Sequence, residues 1–449
     1  MNTAMNKRYI EVLAEQCIKT LMALEELTLN FSGEDQTYVR FNGGHIRQST
    51  SVQQNRVSIT FQQSKRRVIF GIDLTGELTS DVALCLSLIE RARQEVNILP
   101  EDPYCSPIEV SDQSDESHKG EIPQLEDQLA DIAKASSHAD LAGLLATGRQ
   151  YRAIRNSKGA SHWFENESFF FDYSLYTVND QGDNKAIKSL YAGREWNSGA
   201  LSDQIQDNIH QLAQLRQANR TVLPGSYRVF LGPSAVAALV QMFSWGAVSY
   251  GAWRRGNSAL KKLIEGEMSL SPLFSLTEDF SGGLVPRFNS LGEVANESLP
   301  IIEKGRLKQL LTSTRSSREY AVPANGAESS EGLRSPVMDS GTLERPDYLE
   351  RLGTGLYINN LHYLNWSDLQ SARITGMTRY ACFWVENGDI VAPIQDLRFD
   401  ESLFRVFGSE LEAVTHEQRT VMNTDTYGQR SLGGSKVPGI LVKDFKFTL

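Results

Sequence analysis

The residues through which this chain would bind a metal or attack a carbonyl are seven histidines, four cysteines and a few clustered arginines. A zinc site carried on one helix needs imidazoles about one turn apart, so that both face the same ion. His45, His118, His138, His162, His210, His362 and His416 never fall within five positions of one another. His416-Glu417 opens like a zincin motif, but no second histidine follows it. Cys17, Cys85, Cys105 and Cys382 form no C-x-x-C pair and suggest neither a disulfide framework nor a zinc cluster. Cys382 with His362 as its base would make a cysteine hydrolase; the competing reading places Cys382 in a strand as an inert buried thiol. Arg315, Arg318 and Arg379 have the forked donors to clamp a peptide carboxylate, or are solvated turn residues that contribute little. Gly282-Gly283 and Gly433-Gly434 are turn glycines, because neither pair links a strand to a helix as a phosphate-cradling loop does.

The elements that must position these residues follow from periodicity. Ile10, Leu13, Cys17, Leu21 and Leu24 recur three and four apart and predict a helix over residues 8–24. Strand-like segments follow at 27–31, 37–41, 46–53, 57–63 and 68–72, with turns expected at Asn42-Gly43-Gly44, Gln54-Asn55 and Ser64-Lys65. Thr79, Ser80 and Asp81 offer caps for a second helix reaching Val96. Residues 101–123 are acidic and rich in Ser and Pro, which predicts a loop or linker. Helices are expected at 125–135, 138–147 and 203–217, and strands at 151–155, 168–175 and 190–195.

Beyond Pro224-Gly225 a strand at 227–231 runs through Gly232-Pro233 into a helix predicted over 234–249. Val236, Leu239, Val240 and Phe243 form its apolar stripe, with Trp245 available to a partner or simply part of the packed helix. Short strands are expected at 301–302, 307–311, 355–359, 381–386 and 390–394. Glu386-Asn387-Gly388-Asp389 marks a hairpin between the last two, and 323–341 reads as a long polar loop. The pattern predicts an α+β protein. Residues 1–222 would form an antiparallel sheet flanked by helices, and 223–449 a mostly antiparallel β domain with a central helix.

Composition narrows the function classes. The net charge of −10 repels a polyanion, and the densest basic spots, Lys65-Arg66-Arg67 and Arg254-Arg255, read as solvated turns. No nucleic-acid partner is expected. No run of about 18 apolar residues occurs, so no membrane span is expected. The N-terminal stretch is amphipathic and acidic, which reads as a mature first helix rather than a signal peptide and points to the cytoplasm.

Taken in order, several segments resemble the TldD/PmbA family of metallopeptidases. They are Phe41 to Phe61 (FNGGHIRQSTSVQQNRVSITF), Tyr227 to Pro233 (YRVFLGP), Arg254 to Ser258 (RRGNS), Gly305 to Tyr320 (GRLKQLLTSTRSSREY) and the Gly355 to Phe399 block with its ENG turn. In that family's catalytic branch, the helix after the GP turn carries HExxxH, and a cysteine near the C-terminus is a further zinc ligand. Counting from Gly232-Pro233, Gln241 stands at the first histidine, Met242 at the glutamate and Gly246 at the second histidine, while Thr424 is nearest the cysteine. The resemblance therefore implies the TldE/PmbA-like branch, with no zinc bound by this chain and zinc held in a TldD-like catalytic partner. It also implies a heterodimer handling unfolded or precursor peptides. Arg315, Arg318, His362 and Arg379 are the candidate substrate-cleft residues. A free-standing homodimer that binds or regulates peptides without cutting them is the alternative.

Overall fold

The computed structural model describes residues 6–448; the first five residues of the expected N-terminal helix region lie outside that range. α1 (Lys7–Ile18) begins where the Asn6 side chain accepts the Tyr9 amide proton, and it ends earlier than the apolar spacing predicts. Leu24 is 82% exposed with φ +68, so the last residue of the predicted stripe belongs to the turn into the sheet. β1 (Glu26–Asn42), β2 (His45–Gln63) and β3 (Arg66–Asp73) are long, continuous antiparallel strands. Asn42-Gly43-Gly44 and Ser64-Lys65 make the expected turns; Ser64 and Lys65 both take positive φ, as a tight two-residue hairpin requires. Gln54-Asn55 is not a turn. β2 runs through it, and Asn55 Oδ1 accepts a hydrogen bond from the Tyr151 hydroxyl at 2.8 Å.

α2 (Leu78–Val96) is capped by Glu77, whose carboxylate accepts the Thr79 and Ser80 amides, rather than by the residues after it. The expected 101–123 loop contains β4 (Gln113–His118), which pairs in parallel with a later strand. α3 (Leu125–Ala135) falls where predicted. β5 (Asp140–Asn156) occupies the place of the helix expected at 138–147. β6 (Ser161–Val178), β7 (Asn184–Gly193) and α4 (Ser198–Gln214) complete this half. The seven-stranded sheet runs β3-β2-β1-β5-β6-β4, with β7 also on β6.

The two faces of this sheet have different covers. Leu27, Leu29, Phe31, Val57, Ile59 and Phe61 pack against Ile10, Leu13 and Cys17 of α1 and Val82, Cys85 and Ile89 of α2. Further along the same alternation, Val39, Phe41, Leu145 and Phe171 pack with Ile132 of α3 and Leu201 and Ile205 of α4. Each such fully buried side chain contributes about 1.5–3 kcal/mol. Asn30, Ser58 and Thr60 point the other way, toward loops of the C-terminal half.

That half opens with β8 (Gly225–Leu231), α5 (Pro233–Gln241), α6 (Tyr250–Arg254) and α7 (Lys261–Ile264). β9 (Leu276–Asp279), β10 (Ser298–Glu303), β11 (Arg306–Leu307), α8 (Thr314–Tyr320), β12 (Pro336–Met338) and α9 (Tyr348–Leu352) follow. The last elements are β13 (Gly355–Asp368), β14 (Arg373–Glu386), β15 (Asp389–Pro393), β16 (Arg398–Ser402), β17 (Leu411–Met422) and β18 (Gly434–Phe447). They build an 11-stranded sheet, antiparallel except where β12 meets β18 and β13 meets β8. β18 touches β12, β16, β17 and β8, so it is the hub of the sheet. Asn387 (φ +52) and Gly388 (φ +86) form the predicted hairpin between β14 and β15. The helix with its buried Val236, Leu239 and Val240 lies in the core of this sheet, so the α+β architecture with a central helix is as expected.

Candidate functional site

Pro233 is the first residue of α5, where its missing amide proton costs nothing and its fixed φ favours the helix. The regular helix stops at Gln241, a single 3-10 turn follows over Met242–Ser244, and Gly246 takes φ +85. The helix predicted through residue 249 is therefore cut short, and the three motif positions fall into different environments. Gln241 is exposed at the end of the helix. Met242 is 1% exposed and belongs to the main core with Phe243. Gly246 lies beyond the helix and has no side chain. Zinc needs imidazole, thiolate or carboxylate donors converging on one point; an exposed amide, a buried thioether and a glycine do not supply them. Thr424 sits in the segment between β17 and β18. Among the described residues, no three His, Cys, Asp or Glu side chains converge as a metal site. The side chains at the motif positions do not fit the metal.

The chain after the motif is tied to the arginines of α8 by one carboxylate. Ser249 caps α6 and Ser313 caps α8. Glu331, 3% exposed, accepts from Ser249 Oγ and the Gly251 amide through one oxygen and from Ser313 N and Oγ through the other, all at 2.5–2.9 Å. These bonds outweigh burial and hold the Glu331 carboxyl below its ordinary pKa. α8 is thus set against the segment between α2 and β4, where Arg315 pairs with Asp102 at 2.5 Å and Arg318 with Glu109 at 3.5 Å.

Between the halves runs a cleft of two adjoining cavities of about 480 and 400 Å³ that share Asn30, Ser58, Asn289 and Ser290. Asn30 Nδ2 donates to the Ser290 carbonyl at 3.0 Å and pins one wall to the other. The β2–β3 turn and Arg315 border the first cavity; Arg152 and Arg334 border the second, beside Phe288 and Leu432. Arg334 donates to the Pro286 and Phe288 carbonyls and orders that wall. Burial pulls the Arg152 guanidinium below its ordinary pKa, a sign that it is poorly solvated.

The four arginine and histidine positions singled out in the sequence separate into two groups. Arg315 lines the cleft and Arg318 follows it on α8. His362 and Arg379 lie on β13 and β14, where Arg379 and Asp396 act electrostatically on His362. No hydrogen bond or ion pair among the described residues joins the two groups. Cys382 is 2% exposed, burial pushes its thiol up to about 12, and it bonds the Arg379 carbonyl at 3.4 Å. It faces Ile358 across the ladder while His362 faces Met377, so the cysteine–histidine dyad does not form. Arg67, Arg152 and Arg334 escaped the sequence reading. Only Lys65-Arg66-Arg67 gave a signal, and its turn position made it look merely solvated.

Fold and site define a two-sheet α+β protein whose motif helix carries no metal donor set. Residues 224–449 match the family model described as the PmbA/TldA metallopeptidase C-terminal domain. The chain belongs to the PmbA/TldA metallopeptidase family. Similar solved structures include TldE from Thermococcus kodakarensis (14% identity, TM-score 0.78, covering 98% of this chain and 100% of that one). A candidate modulator of a DNA gyrase from Thermotoga maritima is also similar (15% identity, TM-score 0.76, 98% and 99% covered). A candidate modulator of DNA gyrase from Bacteroides thetaiotaomicron matches as well (13% identity, TM-score 0.74, 100% of both). At these identities the likeness is one of fold. No curated protein sequence matches the chain significantly. No helix among the described residues is long and apolar enough to cross a membrane.

Proposed function

We propose that this chain is a non-catalytic, TldE-like subunit of a two-component cytoplasmic metallopeptidase that handles unfolded or precursor peptides. The observation that carries this reading is the state of the motif positions: within a metallopeptidase-family fold, Met242 is turned into the core and Gly246 lies past the end of the helix. Without paired imidazoles and a carboxylate base, this chain cannot prepare a metal-activated water. In this reading zinc belongs to a HExxxH-bearing partner, and this subunit completes and shapes the chamber that admits the peptide. Its cleft, walled by both halves and pinned by Asn30, supports such a role. The fold likeness to TldE agrees with it.

Co-expression with a HExxxH-bearing homologue from the same cell tests the reading. A stable complex that contains zinc in the partner only, and that cleaves an unfolded peptide which neither chain cleaves alone, is the expected result. A persistent homodimer that ignores the homologue would overturn it in favour of a free-standing peptide-binding protein.

A further inference from the structure

The cleft between the two halves is lined by cations in a chain whose net charge is −10. Three of them are answered by carboxylates: Arg56 by Asp73 at 3.7 Å, Arg66 by Glu101 at 3.2 Å and Arg315 by Asp102 at 2.5 Å. The Lys65 ammonium and the guanidinium groups of Arg67, Arg152 and Arg334 have no carboxylate within 4.0 Å among the described residues, and the Glu278 carboxylate meets Arg334 at its backbone amide alone. The carboxylates that line the cleft are Asp102, already paired with Arg315, and Glu328, which accepts from Ser290 N and Oγ. An uneven charge of this kind in a low-dielectric slot concentrates anions.

Shape narrows the class of anion. The sheet-side wall is the face of β1, β2 and β3 that presents Asn30, Ser58, Thr60 and Ile69, with Arg67 on the same face as Ile69. Phe288, Val285 and Leu432 add apolar surface opposite. Cations, polar strand side chains and apolar patches together suit an extended chain with acidic side chains. A nucleic-acid duplex would need an open, continuous basic surface, whereas the Asn30–Ser290 bond bridges this slot.

We propose that this cleft selects acidic, extended peptide segments, with Lys65, Arg67, Arg152 and Arg334 as the groups that set the preference. The proposal rests on the peptide-handling reading above, yet its test uses this chain alone. Dye-labelled ten-residue peptides, one rich in Asp and Glu, one neutral and one rich in Lys, are titrated with the full chain and followed by fluorescence anisotropy. Single- and double-stranded oligonucleotides of equal charge form further arms. The acidic peptide is expected to bind about tenfold or more tightly than the others and to weaken as salt rises.

Lys65→Glu, in the exposed turn, combined with Arg67→Gln, half-buried at the start of β3, is expected to reduce that binding at least tenfold with an unchanged circular dichroism spectrum. Arg152→Gln provides an independent second variant, and Lys261→Gln with Lys262→Gln, outside the cleft, is expected to leave binding unaltered. Equal affinity for all three peptides, tighter binding of an oligonucleotide, or acidic binding that survives both cleft variants would overturn the proposal. Complex formation with a HExxxH homologue is a separate readout. Its success beside a failed peptide preference would sink this inference alone, and its failure beside a retained preference would sink only the subunit reading.

Discussion

Two buried glutamates give the molecule opposing pH responses. Glu278 on β9 is 1% exposed and accepts the Arg334 and Ser335 amides, but burial dominates and pushes its carboxyl up to about 7. A raised folded-state pKa contributes stability below the unfolded value, and that contribution is lost as pH rises through about 7. Urea unfolding midpoints should therefore fall between about pH 4.5 and 7 in the native chain by more than in Glu278→Gln, which keeps an acceptor for both amides. Glu331 acts with the other sign. Its depressed pKa contributes stability that is present above the unfolded value and lost as pH falls through the folded one. Glu331→Ala strips the shared cap from α6 and α8 and should cost roughly 2–4 kcal/mol in denaturant unfolding at neutral pH. Neither glutamate was visible in the sequence, because their significance lies in partners 18 to 82 positions away. Arg315 could be picked out in the sequence because Arg318 follows it three residues on in a segment that resembles a known family; Arg152, one of three arginines spaced three apart, and Arg334 could not, since their place on the cleft comes from tertiary folding.

The element that best separates this chain from a zinc-binding relative is the end of α5. Writing the motif back in, as Gln241→His, Met242→Glu and Gly246→His, should not create a stoichiometric zinc site. Glu at position 242 would enter a core position that is 1% exposed, and a side chain at 246 would have to accept φ +85. Metal analysis should find no bound zinc, and thermal unfolding should show a loss of several kcal/mol. The sequence already showed that the donors were missing, but it predicted an uninterrupted helix, because Phe243 continues the apolar stripe of Val236 and Val240. Its other errors have similar physical causes. Leu141, Leu144 and Leu145 mimic a helical stripe, yet β5 lies between β1 and β6 with cover on both faces, and such strands lose their alternation. β4 is Gln-Ser-Asp-Glu-Ser-His, an edge strand without one apolar residue, held by its neighbour rather than by any propensity of its own.

At the scale of the whole molecule the two sheets share a core. Phe230, Tyr357, Phe383 and Leu441 from the C-terminal half pack in the same cluster as Val39, Phe41, Leu141 and Phe171. The segment between β17 and β18 is fastened to the other sheet as well. Buried Arg430 donates to Gln36 Oε1 and the Ser168 carbonyl at 3.0 and 2.8 Å, and its amide bonds Glu34 at 2.7 Å. Residues 1–222 and 223–449 produced separately should each expose this apolar surface and aggregate, while the intact chain should unfold in one calorimetric transition. Arg430→Ala should speed hydrogen exchange in residues 423–433 before it affects the strands. The place of β18 adds a consequence in time. A ribosome makes its residues after the other ten strands of its sheet, yet β8 at residues 225–231 must wait for them to gain its second neighbour, on the edge that β13 leaves open. Chains past their midpoint therefore carry an open sheet edge until their last residues are added, when a chaperone has the greatest opportunity to act on them.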